Sequence, residues 1–432
     1  MELLEKHSLM NACPLHHYRM GNGLEVFLLH NPISPVAAYL THYTVGSASE
    51  TDRERGLAHF FEHMMFRETE SLGDGDFDRI IAESGGVGLN AFTSYDTTAY
   101  YVSVPSSQLG RVIGLEADRM ANLRLSTDLI DKERGAVLGE LHMVKDLPSD
   151  QLWESMMKAA FASHPYRHPI IGYEEGLRGF SGADFESFYR THYAPNRAVV
   201  VVAGGFDESG LCDLLQKSYG HLERGGERPA PAPEDPPWSK DIRVETGHPK
   251  VSTENLMLGW RTPGLTHPDM PALLMLSAVL SAGHSAPLHT RIVNTGLGTQ
   301  AAAYSLEAEM NLVSPGMFMC DVVMRHGVPA ARAENVLLEI LEQTAAGVAG
   351  EDMERALSQF RLGTFEAMRT NYSLARQVGG YAVATGDPLF GQKLLASIAR
   401  VGPEDLRRVL LKYMLDAPRM TVIQHPLQAV TA

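Results

Sequence analysis

Between residues 223 and 238 stand Pro229, Pro231, Pro233, Pro236 and Pro237 among charged side chains, and the order of elements that precedes them returns after them. Such a stretch reads as a semi-rigid linker. Before it come strand signals at 23–29 and 36–45, helical patterns at 54–66 and 76–83, and a hairpin pattern over 87–104 around Tyr95-Asp96. Long amphipathic helices follow at 106–123 and 126–146, then a further helix pair and the apolar run Ala198-Val199-Val200-Val201-Val202-Ala203. After it come a strand at 254–260, an apolar helix at 270–281 and β-like segments at 299–305 and 315–324. Helices near 328–346, 351–370 and 403–414 and a strand at 419–424 complete the second round. A repeated order of mixed elements predicts a duplication. The expected fold is α+β, with two similar tandem domains, each a mostly antiparallel sheet with helices packed on one side. The expected boundaries are 1–222 for the first domain, 223–240 for the linker and 241–432 for the second.

The net charge of -15, from 37 Lys+Arg against 52 Asp+Glu, excludes nucleic acid as a partner, because phosphate binding needs clustered cations. No window approaches the roughly 18 apolar residues of a membrane span. Met1-Glu2-Leu3-Leu4-Glu5-Lys6 lacks an apolar signal core, so the chain as written reads as cytoplasmic, or as periplasmic where a signal peptide has been removed. Cys13, Cys212 and Cys320 have neither zinc spacing nor the look of a disulfide framework.

Chemistry concentrates in Gly56-Leu57-Ala58-His59-Phe60-Phe61-Glu62-His63-Met64-Met65-Phe66. At helical periodicity His59 and His63 lie one turn apart on one face, where two neutral imidazoles can bind one Zn²⁺. Glu62 precedes the second histidine and can reach an activated water without being a ligand. His-x-x-Glu-His is the inverzincin order. The blander reading is a half-buried histidine pair on an amphipathic helix, but three ionisable groups within one turn of an apolar segment are costly to bury without a metal. A catalytic zinc needs a third protein ligand. The helix around 127–146 offers Glu133 and Glu140, two turns apart and so on one face, and spacing does not choose between them. His142 is a weaker rival, pointing off the Glu140 face.

With these residues the sequence resembles the pitrilysin/insulinase family, which includes the mitochondrial processing peptidases. The likeness rests on Val45-Gly46-Ser47, the 56–66 segment, Gly85-Gly86 and Leu89-Asn90-Ala91-Phe92-Thr93-Ser94-Tyr95-Asp96. It continues through Glu116-Ala117-Asp118-Arg119-Met120, Glu133-Arg134, Glu140, His164-Pro165-Tyr166 and His192-Tyr193-Ala194-Pro195-Asn196. The resemblance implies a zinc endopeptidase with His59, His63 and Glu140 as metal ligands and Glu62 as general base. It places Glu133 in support near the site, where a carboxylate orients a histidine ligand. It also implies that Asn90, Ala91 and Phe92 belong to an edge strand that receives an extended peptide by β-augmentation. The implied partners are peptide substrates and a second chain, as a homodimer or as a heterodimer with a related subunit that lacks the metal.

The second half departs from the family pattern. Pro271-Ala272-Leu273-Leu274-Met275-Leu276-Ser277 stands where the metal helix belongs and has neither His nor Glu. If Glu354-Arg355 corresponds to Glu133-Arg134, Arg361 falls at the ligand position, so this half is expected to enclose substrate rather than bind metal. Relatives carry an Arg and a Tyr there that help hold substrate. Here Val293-Asn294-Thr295-Gly296-Leu297-Gly298-Thr299 replaces that stretch, with Arg291 and Tyr304 at the wrong spacing. The expectation is that a partner chain supplies them. The alternative is a non-catalytic scaffold subunit, which the presence of all four key residues disfavours. His16-His17 read as surface residues, and His164 and His168 lack metal spacing.

Overall fold

Residues 1–10, 12–227, 230 and 232–427 are described by a computed structural model; Pro229 and Pro231 of the proline-rich stretch lie outside them. Seven strands form the first sheet: β1 (Glu2–Ser8), β2 (Pro14–Arg19), β3 (Glu25–His30), β4 (Val36–Tyr43), β5 (Val87–Thr93), β6 (Thr98–Pro105) and β7 (Ala198–Gly204). Their spatial order is β1-β2-β3-β7-β4-β6-β5. The valine run becomes β7, central, parallel to β3, antiparallel to β4 and buried at every position. A strand covered on both faces has no polar side, hence its continuous apolar sequence.

The second sheet contains β8 (Ile242–His248), β9 (Asn255–Arg261), β10 (Gly298–Ser305), β11 (Met317–Met324) and β12 (Met420–Pro426) in the order β10-β11-β9-β12-β8. Read from β5, the first sheet runs β5-β6-β4-β7-β3. The two orders match strand for strand, including the single parallel pair in each, β3 with β7 and β8 with β12. The duplication expected from element order is therefore present in the topology. The first sheet adds β1 and β2 beyond β3.

Helices α1 (Leu57–Met64), α2 (Asp76–Glu83), α3 (Leu109–Asn122), α4 (Thr127–Lys145) and α5 (Pro148–Ala160) follow within the first half of the sequence. Packing divides the molecule into two compact units, but not at 222 and 241. The first unit is Met1–Leu141, His168–Pro231 and Glu366–Gln392; the second is His142–Arg167, Ala232–Phe365 and Lys393–Ala432. The contiguous boundaries 1–222 and 241–432 are thus corrected by an exchange. Helix α5 packs on β8 and β12, and the helix Asn371–Thr385 packs on β4 and β7. In the topological correspondence β7 and β12 are equivalent, so each sheet takes a helix from the other half of the sequence to cover that strand and one neighbour.

The helix Asn371–Thr385 meets the sheet face formed by Phe27, Leu29, Ala38, Leu40, Val199, Val201 and Ala203, burying Leu374, Ala375 and Val378 there. Tyr39 and Thr41, of opposite parity, turn to the other face, where Thr41 donates to Glu116 of α3. The first sheet therefore carries helices on both faces. The linker also differs from a free spacer: Asp235 accepts from the backbone N–H groups of Ala162, Ser163 and His164, and Trp238 donates to Ala160 O at 3.0 Å. Both anchors lie within the second unit.

Among the described residues, no helix is long and apolar enough to cross a membrane. β1, β2, β8 and the helices Glu208–Tyr219, Asn371–Thr385 and Phe390–Ile398 lie where the sequence patterns suggested no element. His16 and His17 sit half-buried on β2 rather than on an open surface, paired with Glu208 and Glu25.

Candidate metal centre

Helix α1 begins at Leu57 rather than 54 because Gly56 precedes it with φ 104. A Cβ there would lie 2.7 Å from Ile171 O, so both the conformation and the space require glycine. The first-turn N–H groups find their acceptor in a buried side chain: Glu50 receives Gly56 N at 2.9 Å and Ala58 N at 2.7 Å. Leu57, Ala58, Phe60, Phe61 and Met64 form the buried stripe, with Phe61 stacked on Phe188 and Tyr193. Tyr100 of β6 donates to Phe61 O. Beneath it the guanidinium of Arg119, paired with Glu116, lies 4.4 Å from the Tyr100 ring centroid and 4.7 Å from that of Phe77. These anchors fix the helix so that His59, Glu62 and His63 remain half-exposed on the other stripe.

Helix α4 brings both carboxylates to the histidines. Glu140 lies 3.4 Å from His59 Nε2 through one oxygen and 3.2 Å from His63 Nε2 through the other. Glu133 is buried and meets His63 Nδ1 at 2.9 Å, while its second oxygen pairs with Arg67 at 2.6 Å. As a carboxylate Glu133 accepts, so Nδ1–H donates and Nε2 is the nitrogen turned toward Glu140. Spacing left Glu133 and Glu140 equivalent; the geometry separates them, one behind a histidine and one between two. His142 is exposed and outside this cluster.

The donor atoms of His59, His63 and Glu140 all lie within 4.8 Å of one another, and among the described residues no other group of three such side chains converges this way. Tetrahedral zinc with bonds of about 2.0–2.1 Å sets its ligand atoms about 3.3 Å apart. The nitrogen–oxygen separations of 3.2 and 3.4 Å match that edge and exceed the ~2.7–2.9 Å of a charge-assisted hydrogen bond. His59 Nδ1 is buried without a hydrogen-bond partner. The charges fit as well. Burial depresses the His63 imidazolium, but Glu133 and Glu140 outweigh it and carry the pKa up to about 9. The His59 and His63 rings hold the Glu140 carboxyl far below the usual range.

Glu62 makes one contact that the sequence reading missed. Thr93 Oγ1 donates to Glu62 Oε2 at 2.7 Å. Thr93 ends β5, the last strand of its sheet, so among the described residues the outer edge of β5 has no strand neighbour. On that edge Asn90 is exposed, Ala91 buried and Phe92 half-buried. Asn90 and Ala91 face Tyr101 and Tyr100 of β6. Arg67 was missed too, since its role depends on a carboxylate separated from it in sequence by α2 and α3.

Among the described residues the second unit has no such centre. Its helix Met270–Ser281 is almost wholly buried, and Arg361 is exposed on the helix Gly350–Ala367. Arg291 is tied to Glu339 and Gln343, and Tyr304 donates to Asp321.

Comparison with known proteins agrees with this division. The family described as insulinase (peptidase family M16) matches residues 25–174, and the one described as peptidase M16 inactive domain matches 179–360. The chain belongs to the insulinase family of peptidases. Within it, the zinc protease PqqE of Helicobacter pylori is 28% identical over 398 residues, covering 89% of this chain and 86% of that protein. The uncharacterized zinc protease ML0855 of Mycobacterium leprae is 30% identical over 346 residues, covering 80% of this chain and 76% of that protein. The mitochondrial-processing peptidase subunit beta of Lentinula edodes is 24% identical over 412 residues, covering 92% and 87%. The crystal structure of a protease from Helicobacter pylori superposes with a TM-score of 0.89 at 25% identity, covering 95% of this chain and 99% of that one. These likenesses establish a two-domain α+β member of a peptidase family whose relatives are named zinc proteases.

Proposed function

We propose that the chain is a zinc-dependent endopeptidase acting on extended or unfolded peptides. The observation that carries this reading is the convergence of the His59, His63 and Glu140 donor atoms within 4.8 Å of one another, with the Glu140 carboxylate set between the two Nε2 atoms. In this reading His59 Nε2, His63 Nε2 and the Glu140 carboxylate hold the ion, and Glu133 fixes the His63 tautomer. A zinc ion held there supplies Lewis acidity. Glu62 takes the proton of the attacking water on Oε1, because Oε2 is occupied by Thr93, and hands it to the leaving nitrogen. The peptide adds to the outer edge of β5 along Asn90, Ala91 and Phe92, where backbone pairing gives affinity without demanding a sequence.

A partner chain belongs to this proposal. Arg291 and Tyr304 already have partners of their own, and the Lentinula relative is named as a subunit. The isolated chain is then a weak peptidase, stimulated by a related subunit that brings an Arg and a Tyr to the substrate.

The test is zinc content by elemental analysis, with hydrolysis of a quenched peptide, for wild type and Glu62→Gln. About one zinc per chain in both is expected, with hydrolysis in wild type alone and a rate loss of roughly 10³-fold or more in the variant. Absence of zinc from both would overturn the reading and leave a scaffold subunit. Full activity from the purified chain alone would sink the partner requirement.

A further inference from the structure

We propose that Arg376 selects substrates bearing a carboxylate, by meeting an acidic group of the bound peptide on the face of the β5 edge opposite Glu62. The inference rests on the peptidase reading for its substrate, and on the following geometry for its chemistry. Successive side chains of a strand turn to opposite faces. Thr93 joins Glu62 on one face; Phe92, its neighbour, turns to the other, 6.4 Å from the His42 ring and 5.2 Å from the Arg376 guanidinium. Half-buried Tyr101 and Tyr372 meet there with ring centroids 4.7 Å apart and planes inclined by 41°, and Tyr101 lies 6.5 Å from Phe92. Three partly exposed rings thus make a floor beside the free edge, with an exposed guanidinium laid over one of them.

Arg376 comes from the helix Asn371–Thr385, which belongs to the same unit as β5. The groups shown to interact with it are Phe92 from β5, His42 from β4 and Tyr372 from its own helix; none is acidic. Among the described residues no carboxylate lies within ion-pair distance of it, in a chain where acids outnumber bases 52 to 37. A guanidinium stacked on a ring keeps its N–H edge for a planar carboxylate. In a peptide strand added to β5, alternate side chains fall on this face. The carboxylate has two sources, an Asp or Glu side chain or a free chain terminus.

The test uses quenched peptides in which Glu, Gln or Lys is scanned through successive positions, each with an amidated or a free C-terminus. Hydrolysis is measured with wild type and Arg376→Glu. Binding of the same peptides is measured by fluorescence anisotropy on Glu62→Gln and on Glu62→Gln/Arg376→Glu, so that selectivity is read without turnover. A position where wild type favours Glu over Lys by about fivefold is expected, with the order inverted in Arg376→Glu. Selectivity that follows the free terminus instead supports the same site with the terminus as its ligand. Equal binding of Glu, Gln and Lys peptides to both proteins at every position overturns the inference. Selective binding without any hydrolysis overturns the peptidase reading and leaves Arg376 its role.

Discussion

Thr93 has one hydroxyl proton, and its disposition affects the reaction through Glu62. Thr98 Oγ1, 3.4 Å away, donates to Val45 O, and the Glu62 carboxylate at 2.7 Å takes the Thr93 proton. Hydrogen bonds to charged groups contribute about 1.5–3 kcal/mol, enough to fix which carboxylate oxygen faces the substrate. Thr93→Val is expected to lower kcat at least tenfold with little change in KM and with zinc retained, and Thr93→Ser to restore most of the rate. A valine variant with wild-type kcat would remove Thr93 from the mechanism. At this scale the sequence was legible where the spacing is local. His59, Glu62 and His63 lie within one turn, and helical periodicity alone places them. The choice between Glu133 and Glu140 was not legible without the family resemblance, because it depends on how α4 crosses α1. Thr93 and Arg67 gave no signal, since a threonine ending a strand or an arginine after a helix is ordinary until its distant partner is known.

At the scale of elements, the helix Asn371–Thr385 explains a feature the sequence concealed. Gly379-Gly380 in its middle lowers helix propensity by about 1 kcal/mol per residue, so the segment reads poorly as a helix. A Cβ on Gly379 would lie 2.5 Å from the His42 ring, so the glycine is what lets the helix approach β4. His42 is thereby sealed, with neither ring nitrogen hydrogen-bonded. Burial first, and then the Arg376 charge, push its pKa down to about 4. The unfolded imidazole titrates near 6.5, so between those values the unfolded chain binds the additional proton. The stability due to neutral His42 is complete above about pH 6.5 and is lost as pH falls toward 4. By urea denaturation, wild type should lose more stability than His42→Leu between pH 7 and 5, by about 2 kcal/mol. Equal losses would mean that the ring is protonated in place. The strands β1, β2 and β8 escaped notice for another reason: they stand at sheet edges or beside them and carry charges on their open sides.

For the whole molecule, the order of elements made the duplication legible, because element order survives after residue identity has drifted. The exchange of helices between halves was not legible, since each sequence half has enough helices to be imagined complete. The exchange makes a specific prediction. A chain ending at residue 365 lacks the cover of the face formed by Ala38, Leu40, Val199 and Val201. It should bind a hydrophobic dye and lose near-ultraviolet circular dichroism, although His59, His63 and Glu140 are all present. A cooperatively folding, dye-silent 1–365 fragment would contradict this.

The same exchange sets a timetable for synthesis. When β7 leaves the ribosome every strand of the first sheet exists, yet the helix that dries its second face is still to be translated. At about 5–20 residues per second that interval is on the order of ten seconds, during which a valine-rich surface faces water. A nascent chain of this design waits for its own far end, and ribosome-associated chaperones have that long to hold it.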